Sequence, residues 1–293
     1  MDLPRLSLAP TFLRELTSSR TLPREPEPDA IMEDADQVAA FTETGLNDST
    51  LAASYLFHTA RASQVLQGCR RVIDLGCGPA TQLVQIAALN PEIEFIGIDM
   101  SATMLDQARA HVARVGVDNV RLQLGDITQL TDFEDHSVDG VISTVSLHHL
   151  PTLGHLEQCF SEIGRVLSPG GALYLADFTR LKSLKSVIFF AYMNRDRDPH
   201  QLLLDYERSL RAAFLLEEFQ TLARERLPAG VEVVSTFKVP LLMTVKTADR
   251  SLPEEKVRTL REMRERIHPR FRRDLDDMRI FFRLGGLGND VFR

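Results

Sequence analysis

The chain has 293 residues, 44% hydrophobic and 26% charged, with a formal net charge of −7. That is the profile of a globular chain with one large core and additions, and the acidic balance weighs against broad binding to nucleic acid or anionic membrane. Three cysteines with no CxxC and no metal-ligand spacing exclude a disulfide framework, and no run approaches the ~18 apolar residues of a membrane span or forms a secretory core, so a cytoplasmic protein with no membrane partner is expected.

Residues 1–29 read as an N-terminal arm, in which RTLPREPEPD (20–29) has the proline and charge content of an extended linker. Residues 30–68 carry helical stripes (Ile31, Val38 and Phe41, then Leu51, Tyr55, Leu56 and Val65) and are predicted to form a helical cover. Asn47 to Ser49 would cap its second helix, starting near Thr50.

From residue 69 strands and helices alternate. Strands are predicted at Arg71–Leu75, Ile93–Ile98, Val120–Leu124, Val138–Thr144 and Ala172–Asp177. Helices are predicted at Ala80–Leu89, Ala102–Val115 and Leu153–Leu167, the last followed by a Pro169-Gly-Gly turn. The strands are short and nearly all apolar, as when both faces are covered. Strict alternation implies a mostly parallel sheet with right-handed crossovers.

The pattern then changes. Residues 180–227 read as a helical lid inserted after the fifth strand, and Val231–Phe237 and Leu241–Thr247 as two further strands, plausibly antiparallel. Residues 69–250 thus form an α/β core, a Rossmann-like, mostly parallel seven-stranded sheet with helices on both faces. Residues 251–293 form a C-terminal helical extension, broken at Pro269 and ending in a loop, RLGGLGNDVFR.

A parallel sheet binds nucleotides beyond the carboxyl ends of its strands. The first strand ends Asp74-Leu-Gly76-Cys-Gly78-Pro-Ala80, and the second at Asp99. Glycines let the backbone approach a ligand, and an acid at the end of the second strand suits ribose hydroxyls. Asp74 would repel a pyrophosphate but suits an ammonium or sulfonium group, and the third glycine of G-x-G-x-x-G is absent. A tight strand-to-helix turn without a ligand is the alternative for the glycines alone.

With these residues the chain resembles the class I S-adenosylmethionine-dependent methyltransferases. VIDLGCGPAT, FIGIDMS (95–101), LGDITQL (124–130), VDGVISTVSLHHL (138–150) and VLSPGGALYLADF (166–178) resemble the family's ordered motifs, over residues 70–178. The resemblance implies S-adenosyl-L-methionine as cofactor. It implies Asp74, Gly76 and Gly78 around the methionine part, Cys77 as a small filler, Asp99 on the ribose, and Met100 on the adenine face or else in the core. It further implies Asp126 and the Ile127 N–H on the adenine edge, and Ser143 and Thr144 near the sulfonium.

The second substrate is less legible. His148 and His149 follow the fourth strand, where the acceptor approaches in this family, and one could take a proton; packing of the loop is the alternative. The Asn/Asp-Pro-Pro-Tyr/Phe tetrapeptide of amino-group methylation is replaced by Ser143-Thr-Val-Ser146. Tyr55 and His58 of the cover, and Phe189 and Tyr192 of the lid, are candidate acceptor contacts, or else ordinary packing residues. The segment 254–275 holds eight Lys or Arg and five acids, usually a solvated face. Nucleic acid is therefore an unlikely partner, and a homodimer through the lid or the C-terminal helix is possible. The expected function is methyl transfer to a small molecule, through oxygen or nitrogen rather than carbon. The alternatives are an RNA or protein methyltransferase, a non-catalytic scaffold, and a non-methylating use of the cofactor.

Overall fold

The computed structural model describes residues 6–27 and 51–292. The stripes at 31–41 and the cap at 47–49 lie outside these residues.

The apolar runs form one seven-stranded sheet. Its strands are β1 (Arg71–Leu75), β2 (Glu94–Asp99), β3 (Val120–Leu124), β4 (Val138–Thr144), β5 (Leu167–Phe178), β6 (Glu232–Ser235) and β7 (Leu242–Lys246). The order is β3-β2-β1-β4-β5-β7-β6, with β7 alone antiparallel to its neighbours. The chain reverses its direction of winding between β1 and β4, so a crevice opens at the carboxyl ends of these two strands. The Pro169-Gly-Gly segment is a bulge within β5. Val138 pairs Leu167, and the next pair is Gly140 with Ala172, which loops out four residues with Gly170 at φ +74°.

Ten α-helices flank the sheet among the described residues. On one face α3 (Thr81–Leu89) and α4 (Ala102–Val115) pack through Leu83, Ile86, Leu105 and Ala108. On the other, α5 (Leu153–Val166) and α8 (Leu216–Arg226) pack through Phe160 and Phe219. Helix α4 has the ends its sequence prescribes: the Ser101 hydroxyl accepts from the Met104 N–H at 3.1 Å, and Gly116 closes it in the left-handed region.

Three additions build walls above the crevice. Helix α2 (Leu51–Val65) is covered by α9 (Glu254–Arg266) and α10 (Pro269–Leu284), with Phe57 stacked on Phe282 at 5.1 Å. Pro269 starts α10, where its missing N–H costs nothing. The final residues are pinned rather than loose. The carbonyls of Gly288 and Asn289 accept from the buried Arg61, and Asp290 pairs with Arg279 at 2.8 Å. The lid consists of α6 (Leu184–Tyr192) and α7 (His200–Ala212), and α1 (Ala9–Thr17) packs on α6.

The segment expected as a linker is extended, but it is strapped to the core. Arg24 donates to the carbonyls of His148, Leu150, Pro151 and Ala212 at 2.6–2.9 Å, with its guanidinium 3.9 Å above the Phe214 ring. Glu25 pairs with Arg211. Four carbonyls at the end of a loop and a helix need donors, and one planar fork of N–H groups supplies them.

Candidate active site

The crevice opens into a cavity of about 830 Å³ with two ends. The first is built where β1 and β2 stop. Gly76 has φ +70°, and a Cβ there would stand 1.8 Å from the Ser146 hydroxyl, so only glycine fits. Gly78 has φ +52°, and a Cβ there would meet nothing within 4 Å: the loop faces open space. Ala80, just before α3, takes the left-handed conformation, φ 58°. The Asp99 carboxylate ties this loop to β2, accepting from the Gly78 N–H at 2.8 Å and the Ser101 N–H at 2.9 Å.

The charges at this end are hidden. Asp74 is 3% exposed, and burial, reinforced by Asp99, pushes its pKa up to about 8. Burial also raises Asp99, against the N–H groups that favour its ionised form. Two crowded carboxylates at the end of a sheet are a place prepared for positive charge. Cys77 is buried, and desolvation with both acids beside it raises its thiol, so it fills space and does not react. Met100, 48% exposed, stands at the cavity wall rather than in the core. Asp126 and Ile127 also line this end, and Asp126 Oδ1 is engaged by the Thr128 N–H and hydroxyl.

The second end is built by the loop after β4. His148 is 1% exposed. Its Nδ1 lies 2.7 Å from Asp177 Oδ1, and its backbone N–H donates to Asp177 Oδ2. A carboxylate only accepts, so the proton is on Nδ1, and Nε2, without a hydrogen-bond partner, presents a lone pair. The His149 ring lies 4.1 Å from that of His148. His149 Nδ1 donates to Glu27 Oε2 at 2.9 Å, and Glu27 Oε1 accepts from Ser209 of α7. Burial opposes ionisation of both groups, but their mutual contact prevails: Glu27 falls to about 2 and His149 is raised. Each group thus favours the charged form of the other.

The family model described as a methyltransferase domain matches residues 67–225, more than half of the chain, with both ends of the cavity's loops inside it. The chain belongs to the class I methyltransferase family. The 27-O-demethylrifamycin SV methyltransferase of Amycolatopsis mediterranei is 30% identical over 179 residues, 58% of each chain. A methyltransferase structure from Aquifex aeolicus superposes with a TM-score of 0.50 over 73% of this chain and 97% of its own, at 17% identity. The plantazolicin methyltransferase BpumL, solved with S-adenosylhomocysteine, superposes with a TM-score of 0.52 over 74% of this chain and 91% of its own, at 16% identity. The chain spans less than two thirds of the length of the curated relatives it matches.

The methyltransferase brings most of the expected residues to its cavity. Gly76, Cys77, Gly78, Asp99, Met100, Asp126, Ile127, Thr144, Tyr55, His58, His148 and His149 all line it. Asp74 lies buried behind the loop. Ser143 is set back, its hydroxyl donating to the Leu75 carbonyl at 2.8 Å across the β1–β4 seam. Phe189 and Tyr192 do not line the cavity, a correction that follows from helix phase: Phe190 and Met193, three residues apart, face inward, while the Tyr192 hydroxyl reaches Glu207. His58 is held neutral, since burial lowers it to about 4, with Nδ1 2.8 Å from the Tyr174 hydroxyl. Glu27, Asp177, Phe178 and Tyr206 were not foreseen. An acid closing an apolar strand marks Asp74 and Asp99, and the same signal was present at Asp177. Nothing local marks Glu27.

S-adenosylmethionine is the cofactor of this methyltransferase. The residues fit it: a glycine at Gly78 open to the cavity, a carboxylate at the tip of β2, and buried acids that favour a cationic group.

Proposed function

We propose that the enzyme moves the methyl group of S-adenosylmethionine to an oxygen or nitrogen of an apolar small molecule, and that His148 takes the proton the acceptor releases. The observation that carries this is the Asp177–His148 pair, an imidazole held through Nδ1, its Nε2 without a hydrogen-bond partner, on a residue that lines the same cavity as the glycine loop. The cofactor supplies an electrophilic methyl on a positive sulfur. The protein then has only to align the acceptor and exclude water.

In this reading Asp99 holds the ribose hydroxyls, Met100 packs on the adenine, and Asp126 with the Ile127 N–H reads the adenine edge. Asp74 favours the methionine ammonium, and Thr144 stands near the sulfonium. Phe178, Tyr206, Phe190 and Met193 give the acceptor an apolar bed, and Tyr55 and His58 close it from the cover helix. The small-molecule acceptor named for the rifamycin relative supports this class of substrate.

The RNA reading has less support, because several basic residues of α9 and α10 are paired with acids: Arg264 with Asp276 at 3.2 Å, Arg272 with Glu265 at 2.9 Å, Arg273 with Asp277 at 3.5 Å. No helix among the described residues is long and apolar enough to cross a membrane.

Calorimetric titration with S-adenosylmethionine and S-adenosylhomocysteine, on the wild type and Asp99→Ala, is the direct test. Micromolar binding that falls by more than about 10-fold in the variant supports the site, on the scale of one lost charge-assisted contact. A folded wild type that binds neither ligand overturns it.

A further inference from the structure

We propose that Glu27, His148 and His149 form a binding site for a divalent transition-metal ion at the acceptor end of the cavity. The proposal rests on the reading of that end as the place where the acceptor is activated, and it names the agent.

Spacing is the first support. One ligand atom from each of the three residues lies within 4.8 Å of the other two. Glu27 Oε2 is 2.9 Å from His149 Nδ1, and Glu27 Oε1 is 3.9 Å from His148 Nε2. Bonds of about 2.1 Å to a zinc-like ion set tetrahedral ligand atoms roughly 3.4 Å apart, and these separations straddle that value.

The second support is the His148 lone pair. Nε2 is buried and unpartnered. Glu27 Oε1 stands 3.9 Å from it, and a cation between the two atoms would be bound by both.

The third is the surrounding shell. Asp177, fully buried, holds the far side of the His148 ring as outer carboxylates hold metal-bound imidazoles. One carboxylate is enough to orient a base. A second, aimed at the opposite nitrogen and carried in by an arm that Arg24 fixes at four carbonyls, is a donor.

Two imidazoles and one carboxylate favour Zn²⁺, Fe²⁺, Co²⁺ or Ni²⁺ over Mg²⁺ or Ca²⁺, which take oxygen shells. All three residues line the cavity. With the ion bound, His148 would be a ligand and no longer the base: the ion would lower the pKa of a hydroxyl acceptor, whose proton would leave to solvent while its oxygen stays on the metal. That oxygen then forms the new C–O bond as the C–S bond breaks, with the pair left on sulfur as S-adenosylhomocysteine.

The test is calorimetric titration of the untagged, metal-stripped full chain with zinc sulfate, with excess magnesium present, followed by S-adenosylmethionine in the same cell. We expect one zinc per chain with Kd below about 1 µM. Glu27→Gln, on the arm and outside the sheet, weakens this at least 10-fold, and Asp177→Asn weakens it by about 10- to 100-fold. X-ray absorption at the zinc edge reports two imidazole ligands. Cofactor binding by each variant certifies its fold. Zinc binding weaker than about 1 µM, or a change of under 10-fold in Glu27→Gln, overturns the metal site and leaves His148 as the base. Loss of cofactor binding by the wild type would instead sink the methyl-transfer reading, whatever zinc does.

Discussion

Asp74 shows how one residue ties stability to function. Its folded pKa of about 8 lies above its ordinary value of 3.8, so between these limits the native state keeps a proton that the unfolded chain has released. Stability is therefore lost as pH rises through this window, by about 1.4 kcal/mol per unit at most. Urea unfolding of the wild type should show this decline from pH 5 to 8, and Asp74→Asn should flatten it. A cationic cofactor reverses the preference and favours the carboxylate. Its binding at pH 7 should thus release protons, seen as a dependence of the calorimetric heat on buffer ionisation enthalpy, and should tighten toward pH 8. Gly76→Ala meets both a left-handed backbone and the Ser146 hydroxyl; a loss of about 3 kcal/mol is expected in the same unfolding assay. At this scale the cofactor end was legible, because its chemistry needs particular residues at fixed distances from strand ends. Glu27 was not, because it meets His149 across more than a hundred residues and sits in a stretch whose composition says only that it will not form a helix.

At the scale of elements, the strands and α4 carried their own signals: apolar runs, a serine cap, a closing glycine. The lid residues were misassigned because the helix is apolar on nearly all sides. Its one charge, Lys185, marks the outer side shared by Ile188, Phe189 and Tyr192, while Ser186, Val187, Phe190 and Ala191 form the buried face. The arm is a different case. It has no hydrogen-bond ladder of its own and is held by side chains: Arg24 at four carbonyls, Glu25 on Arg211 and Glu27 on His149 and Ser209. Arg24→Ala should raise amide exchange over residues 21–27 toward that of an open chain, while the melting temperature falls by no more than about 5 °C, since the sheet is untouched. Comparable loss of protection in the sheet would show that the arm belongs to the global folding unit.

For the whole molecule, the C-terminal extension is structural. Arg61 on α2 is 3% exposed, and two of its acceptors are carbonyls of Gly288 and Asn289. Removing residues 285–293 leaves a buried cation short of partners and exposes Leu287's site; a loss of about 3 kcal/mol in unfolding free energy is expected. Paired arginines on α9 and α10 also predict no salt-sensitive binding of an RNA oligomer by fluorescence anisotropy. The architecture as a whole was legible because alternating elements admit few topologies. The way the additions enclose the cavity was not, because it is set by contacts among distant segments.

The strap also has a consequence in time. Arg24 emerges from the ribosome early, but its acceptors run from His148 to Ala212. At about 5–20 residues per second, the arm waits roughly ten seconds or longer for the surfaces it must join. The arm is made before the surfaces it joins and is thus among the last segments to dock, so a nascent chain can assemble the glycine loop while its reaction chamber still lacks a wall.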